Sequence, residues 1–228
     1  MRAWFRKMSL AAAMLLAPAG ALAQPSITVT GQGSASAAPD VVFLEIGVQV
    51  LRPSSEEALR DAAERANQVL QAIRDAGVAR DDIQTRHVAV HPSYDFRDGE
   101  RILRGYEAMH LVTAETNNVD RAGAIIDAAV RAGQNEAVVQ GIRFGLENDD
   151  AVRRQARAEA WRDAQERAQH LADLAGVSIR RVLSVQEQTA PIYGGPMYAR
   201  AEALDAGTPV QPGEIEVQVT LQVEYQIR

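Results

Sequence analysis

From Asp149 to Ala175 the chain holds neither glycine nor proline, and Val152, Ala156, Ala160, Ala164, Ala168 and Ala172 recur at every fourth position. Alanine has the best intrinsic helix propensity, so the stretch predicts one long helix that Gly176 ends. A row of methyl groups on one side also lets such a helix approach its neighbour more closely than leucines would permit. Whatever lies beneath this helix must therefore be a sheet or a second helix that accepts close contact.

The remaining segments supply a sheet. The last one, "EIEVQVTLQVEYQI", puts Ile215, Val217, Val219, Leu221, Val223, Tyr225 and Ile227 on one face, the period of a half-buried strand. Residues 42–50 alternate in the same way, residues 83–95 and 102–115 again, and Asp98-Gly99 between the latter two is a hairpin turn signal. "ITVTGQGSASAAPD" starts as a strand and turns small and loose through Gly31, Gly33 and Pro39, which reads as a strand leading into a turn. "AVVQGIRFGL" is a strand with a bulge or change of face at Gly141, and Ile179, Val182 and Val185 mark another.

Two more helices fit between them. Ser54 with Glu57 forms a capping box ahead of a stripe of Leu59, Ala62, Ala63, Ala66, Val69, Leu70 and Ile73 that Gly77 closes. Asn118 is placed to cap a shorter helix through Ile125, Ile126, Ala129 and Val130 up to Gly133. The order ββαββαβαββ predicts an α+β fold, with mostly antiparallel sheet, in one piece or two, covered by helices on one face.

The first 23 residues stand apart. Arg2, Arg6 and Lys7 precede an apolar run from Met8 to Ala17 and a small-residue end at Ala21-Leu22-Ala23, the pattern of a secretory signal cleaved near Ala23. The run is shorter than the roughly 20 residues a membrane span needs. No twin arginine or lipid-accepting cysteine flanks it, so Sec-type export to the periplasm of an unanchored chain is expected. Removing a leader with three basic and no acidic residues takes the formal charge from −6 to −9. That acidity, without a basic tract, argues against nucleic acid as a partner. The absence of cysteine means that an exported fold of residues 24–228 rests on apolar burial rather than disulfides.

Local motifs for chemistry are scarce. No G-x-S-x-G, Walker loop, H-E-x-x-H or EF-hand pattern occurs, and the paired acids Asp81-Asp82 and Asp149-Asp150 sit where turns and helices begin. Gly31-x-Gly33 lacks the third glycine and following helix of a phosphate loop. His87 and His91 are about 13 Å apart along a strand and cannot share an ion. Counting outward from the Asp98-Gly99 turn places His110 across from His87, which makes this pair the one candidate for a metal or redox site, although no third ligand accompanies it. On the same count Val88, Val90, Met109 and Leu111 form the core face. The expectation is a protein without cofactor and without enzymatic activity, the histidine pair being the alternative. The loop 189–214, with four prolines and four glycines, carries Ile192, Tyr193, Met197 and Tyr198, side chains suited to an interaction surface.

"ITVTGQG", Pro39-Asp40, "DDIQT", Pro92-x-Tyr94, Gly105-Tyr106, "IIDAAVRAG" and the long alanine- and arginine-rich helix occur in that order. Together they resemble the SIMPL-domain family, whose bacterial members are exported proteins, periplasmic immunogenic proteins among them. The resemblance spans nearly all of the chain after the leader. It implies an α+β domain with no established catalytic residues, a link to cell-envelope or oxidative stress, and homo-oligomers in the form of large rings, with peripheral envelope contact compatible with that role. The chain departs from the family pattern at Met109-His110, where a small or polar residue followed by an amide is expected.

Overall fold

The computed structural model describes residues 24–189 and 207–228. Its elements are β1 (Ser26–Ala37), β2 (Val41–Arg52), α1 (Ser55–Asp75), β3 (Ile83–Arg97), β4 (Glu100–Thr116), α2 (Ala122–Gly133), β5 (Ala137–Gly145), α3 (Asp150–Ala175), β6 (Ile179–Thr189) and β7 (Ile215–Ile227). The fold is α+β. All strand pairs are antiparallel, in a three-stranded sheet of order β1-β7-β6 and a four-stranded sheet of order β3-β4-β2-β5. The leader residues 1–23 and the segment carrying Ile192, Tyr193, Met197 and Tyr198 lie outside the described residues.

Helix α3 lies along β1 and β7. Its five alanines from Ala156 to Ala172 are fully buried, the first four in one cluster with Val29, Val219, Leu221, Val223 and Tyr225. The two glycines of β1 explain how it gets so near. A methyl group built on Gly31 would overlap the Ala160 carbonyl and Ala164, and one on Gly33 would overlap the backbone at Ala156 and Ala160. Neither glycine has positive φ. The sequence suggests a loosened turn at this point, but β1 runs unbroken through Gly31 and Gly33 to Ala37, and the glycines serve close approach rather than bending. The outer edge of β1 is occupied at one point, where Asp163 of α3 accepts the Gln32 backbone N–H at 2.8 Å. That hydrogen bond, together with Arg167, holds the Asp163 carboxyl below its ordinary range.

Helices α1 and α2 cover the four-stranded sheet mainly over β2 and β4. Val42, Leu44, Ile46, Val48 and Val50 of β2 face them, with Ala108, Val112 and Ala114 of β4. Ser54 caps α1 as expected, its Oγ accepting the Glu57 N–H at 3.2 Å, and Gly77 follows in a left-handed conformation at φ 103°. The buried stripe is Ala58, Ala62, Ala66, Val69 and Ile73, so Leu59 points away from the core and is exposed. Asn118 does not cap α2 with its side chain; its carbonyl instead accepts the Arg121 N–H in a short 3-10 turn, and α2 starts at Ala122. Val130, expected in the stripe, is exposed. The irregularity in β5 falls at Gln140, beside Gly141, where two residues oppose one of β2.

Two links hold the sheets together. Between β1 and β2, Asp40 donates its N–H to the Gly145 carbonyl and accepts the Glu147 N–H on Oδ1 at 2.7 Å. Ahead of β7, Thr208 bonds Asp127 of α2 through its hydroxyl at 2.6 Å, and Val210 packs into the core beneath.

The close contact of α3 with β1 predicts that Gly31→Ala lowers unfolding free energy by about 1–3 kcal/mol, the usual cost of overpacking. Gly141→Ala, where an added methyl meets nothing within 4 Å, is expected to stay within about 0.5 kcal/mol of wild type. Urea denaturation of the three proteins checks both values.

Candidate functional site

The β3–β4 hairpin does not keep the register that simple counting from its turn gives. Asp98 and Gly99 form the expected turn, with φ of 52° and 86°, and Arg97 pairs with Glu100. The pairing then runs Tyr94 with Leu103 but Ser93 with Gly105, leaving Arg104 as an extra residue on β4. A second extra residue, Arg86 on β3, restores the register before Thr85 meets Val112. Between the two bulges every pair is shifted by one, so His87 faces Leu111 and His110 faces Val88. Adjacent positions on a strand point to opposite faces. His87 and His110 therefore project from opposite sides of the sheet, and they do not form a metal site. Among the described residues no group of three or more potential ligands gathers anywhere. The signal that could have revealed the shift was Gly105, since a glycine inside a strand often marks a bulge. It adopts φ 147°, and a Cβ there would press on the Arg52 carbonyl.

The shift also exchanges the faces of β4. Met109 and Leu111 lie on the side away from the helices, with His87. His110 turns toward the helices, between Val88 of β3 and Val48 of β2 and in line with the core residues Ala108 and Val112. Its Nε2 is buried with no hydrogen-bond partner among the described residues, and burial lowers its pKa.

Beyond the bulge the hairpin leaves the rest of the sheet. The last rung of β2 is Arg52 with Tyr106, so from Ser93 to Gly105 the two strands form a ribbon without a third strand. On the face it shares with α1 and α2 it carries Tyr94, Phe96 and Leu103, which continue a line from Val88 and Val90. Val88 is 50% exposed, Leu103 48% and Phe96 75%. These valines lie on the helix side, as expected, but β3 is the edge strand, and α1 packs mainly on β2 and β4 and touches β3 only lightly. A two-stranded ribbon alone is marginal in water. The charges around it balance: Asp95, Asp98 and Glu100 against Arg97, Arg101 and Arg104, the Arg101 guanidinium lying 3.8 Å from the centre of the Tyr94 ring. Alternation in the sequence predicted these strands, but it could not show that their inner face has no cover.

The base of the ribbon is braced by ion pairs. Arg52 Nε contacts Asp61 of α1 at 2.6 Å and its terminal nitrogen contacts Glu136 at 2.7 Å, while Arg65 of α1 reaches Glu136 at 3.1 Å. Glu136 is drawn below the usual carboxyl range although desolvation opposes it, because two guanidinium groups hold its ionised form.

The SIMPL family, described as a protein of unknown function (DUF541), matches residues 27–225 of this sequence. The chain belongs to that family. It is 30% identical over 228 residues to the uncharacterized protein YggE of Escherichia coli strain K12, covering 98% of this chain and 91% of that one. It is 32% identical over 220 residues to the 26 kDa periplasmic immunogenic protein of Brucella melitensis biotype 1, covering 90% of this chain and 86% of that protein. YggE of Edwardsiella ictaluri is 26% identical over 194 residues, 83% of this chain and 80% of that one. Among the described residues of this SIMPL protein, no helix is long and apolar enough to cross a membrane.

The burial of His110 predicts a pH dependence of definite sign. Its folded-state pKa lies below the unfolded value of 6.5, so below that pH the unfolded chain binds a proton that the folded chain refuses. Stability then falls as pH drops from about 6.5 toward the folded value, with a slope of at most ~1.4 kcal/mol per pH unit. In urea titrations between about pH 7.5 and 5.5, His110→Phe is expected to lose this part of the slope. An unchanged slope would remove His110 as its cause.

Proposed function

We propose that this SIMPL protein is a non-enzymatic periplasmic protein that self-associates through its β3–β4 ribbon and serves cell-envelope or oxidative stress tolerance. The observation that carries the reading is the exposed stripe of Tyr94, Phe96 and Leu103 on a ribbon with no cover of its own. A second copy is the occupant that the charges favour. The chain carries −6 in all, so copies repel one another over most of their surface, whereas the ribbon is locally neutral and carries both signs.

The contact is made by side chains on faces rather than by strand addition. Pro92 removes a donor from the middle of the β3 edge, and Asp163 occupies the N–H of Gln32 on the β1 edge. The three side chains of the stripe are far fewer than the roughly 20–30 residues a side of a standard stable interface. Each chain would therefore need a second contact, which repeated head-to-tail packing in a closed ring provides. Periplasmic placement rests on the export signal read from residues 1–23 and on the name of the Brucella relative, a periplasmic immunogenic protein. The absence of enzymatic activity rests on the lack of any local catalytic motif and on two histidines that point apart.

Light scattering on residues 24–228 at about 10–100 µM, a range that detects modest affinities, is expected to give a mass of several chains. Phe96→Ser with Leu103→Ser, both at exposed positions, is expected to give single chains with an unchanged circular dichroism spectrum. A wild-type protein that runs as a single chain, or a double variant that assembles like wild type, overturns the reading.

A further inference from the structure

We propose that the face of the four-stranded sheet turned away from the helices binds a short peptide with free termini. This face holds a cavity of about 570 Å³ bounded by Phe43, Glu45, Arg86, Thr113, Glu115 and Arg143. Two rungs of the sheet build it. In one, Arg143 of β5, Phe43 of β2 and Glu115 of β4 stand side by side. In the next, Gly141, Glu45, Thr113 and Gln84 follow in the same order from β5 to β3. The second rung is the floor: Gly141 has no side chain, and a methyl placed there would meet nothing within 4 Å.

The charges select the ligand. Three carboxylates, Glu45, Glu115 and Asp82, and two guanidinium groups, Arg86 and Arg143, line the cavity. Arg86 pairs with Glu45 at 3.6 Å. The Arg143 guanidinium carbon lies 3.9 Å from the centre of the Phe43 ring, and among the described residues Arg143, Glu115 and Asp82 enter no ion pair. A simple anion would meet more negative than positive charge. A lone metal ion would find no cluster of three ligands. A sugar would lack a ring platform, since Arg143 covers Phe43. Of the three charges left without an ion pair, Asp82 is exposed to water, and a molecule with a carboxylate at one end and an ammonium at the other satisfies the remaining two, the first on Arg143 and the second on Glu115.

Spacing sets its length. Arg143 and Glu115 sit on the strands either side of β2, so their backbones are about 10 Å apart at ~4.8 Å per strand. An extended peptide spans ~3.3–3.6 Å per residue, which makes two or three residues the fit. The site is independent of assembly, because the ribbon stripe lies on the opposite face of the sheet.

Isothermal titration calorimetry of the mature chain with trialanine, trialanine amide and N-acetyl-trialanine tests the assignment. Saturable binding of trialanine is expected, with about tenfold loss on blocking either end, the size of one charged hydrogen-bonded contact. In Arg143→Gln the free acid and the amide should bind equally, and in Glu115→Gln the free amine and the acetylated peptide should. Thr113→Trp, which fills the floor, should abolish binding in a protein whose unfolding midpoint is unchanged. No saturable heat from trialanine at about 10 mM, a limit beyond which affinity is too weak to matter, overturns the proposal. So does equal binding of free and blocked peptides to wild type, or an Arg143→Gln variant that still tells acid from amide.

Discussion

The backbone-to-backbone approach of α3 to β1 is the constraint around which the rest is arranged. Five buried alanines on the helix and two glycines on the strand are halves of one contact, and neither half makes sense without the other. Because small side chains bury little apolar area, the stabilisation on this layer has to come from β7, whose Val219, Leu221, Val223 and Tyr225 fill the space beside the alanine row. That explains why β7 is the central strand and why it is the most regularly alternating segment of the chain. It also explains Asp163. A helix this close to an edge strand brings its own carboxylate within reach of one outward N–H of the strand, that of Gln32.

The second layer is held at the point where the ribbon leaves it. Arg52 ends β2, donates to Asp61 and Glu136, and lends its carbonyl to the crowded site where only Gly105 fits. These side chains are about one-quarter to one-third exposed, so the pairs contribute modestly to stability. Their geometric effect is larger, since one guanidinium fixes α1, the turn before β5 and the last complete rung of the sheet together. The ribbon projects from a braced base.

Element order, the Ser54 cap and the face of β7 were legible in the sequence because each is set by local periodicity, whereas the Asn118 cap and the inward face of β4 were misread. The Ser54 cap, the Gly176 stop with φ 68° and the β7 face follow from residues within a turn or two of one another. What was not legible depends on partners far away in sequence. Gly31 and Gly33 read as a loose turn because their reason for being glycine lies 129 residues on, at Ala160. Register across the hairpin was lost for a related cause: a bulge is one residue in a strand, and nothing local distinguishes Arg104 from its neighbours except the glycine after it. The candidate metal pair rested on that count and went with it. Exposure of Phe96 was hidden as well, since alternation reports which side a residue faces and not whether anything lies there.

The bulge at Arg104 also keeps the apolar stripe of the ribbon on the same face as the core residues of the sheet. A one-residue slip carries every side chain of a strand to the other face. In the ribbon Leu103 shares a face with Tyr94 and Phe96, and in the body of the sheet Ala108, Val112 and Ala114 share that same face with β2. Leu103 and Ala108 differ by an odd number, so a continuous strand would have put them on opposite sides. Without the extra residue, either Leu103 would leave the stripe or Glu107 and Met109 would turn under the helices. The same correction seats His110 in the core with an orphaned nitrogen, a local cost that follows from keeping Ala108 and Val112 inward. It leaves Glu115 beside Phe43 on the open face, so the apolar ribbon and the charged cavity occupy opposite sides of one sheet because of a single inserted arginine.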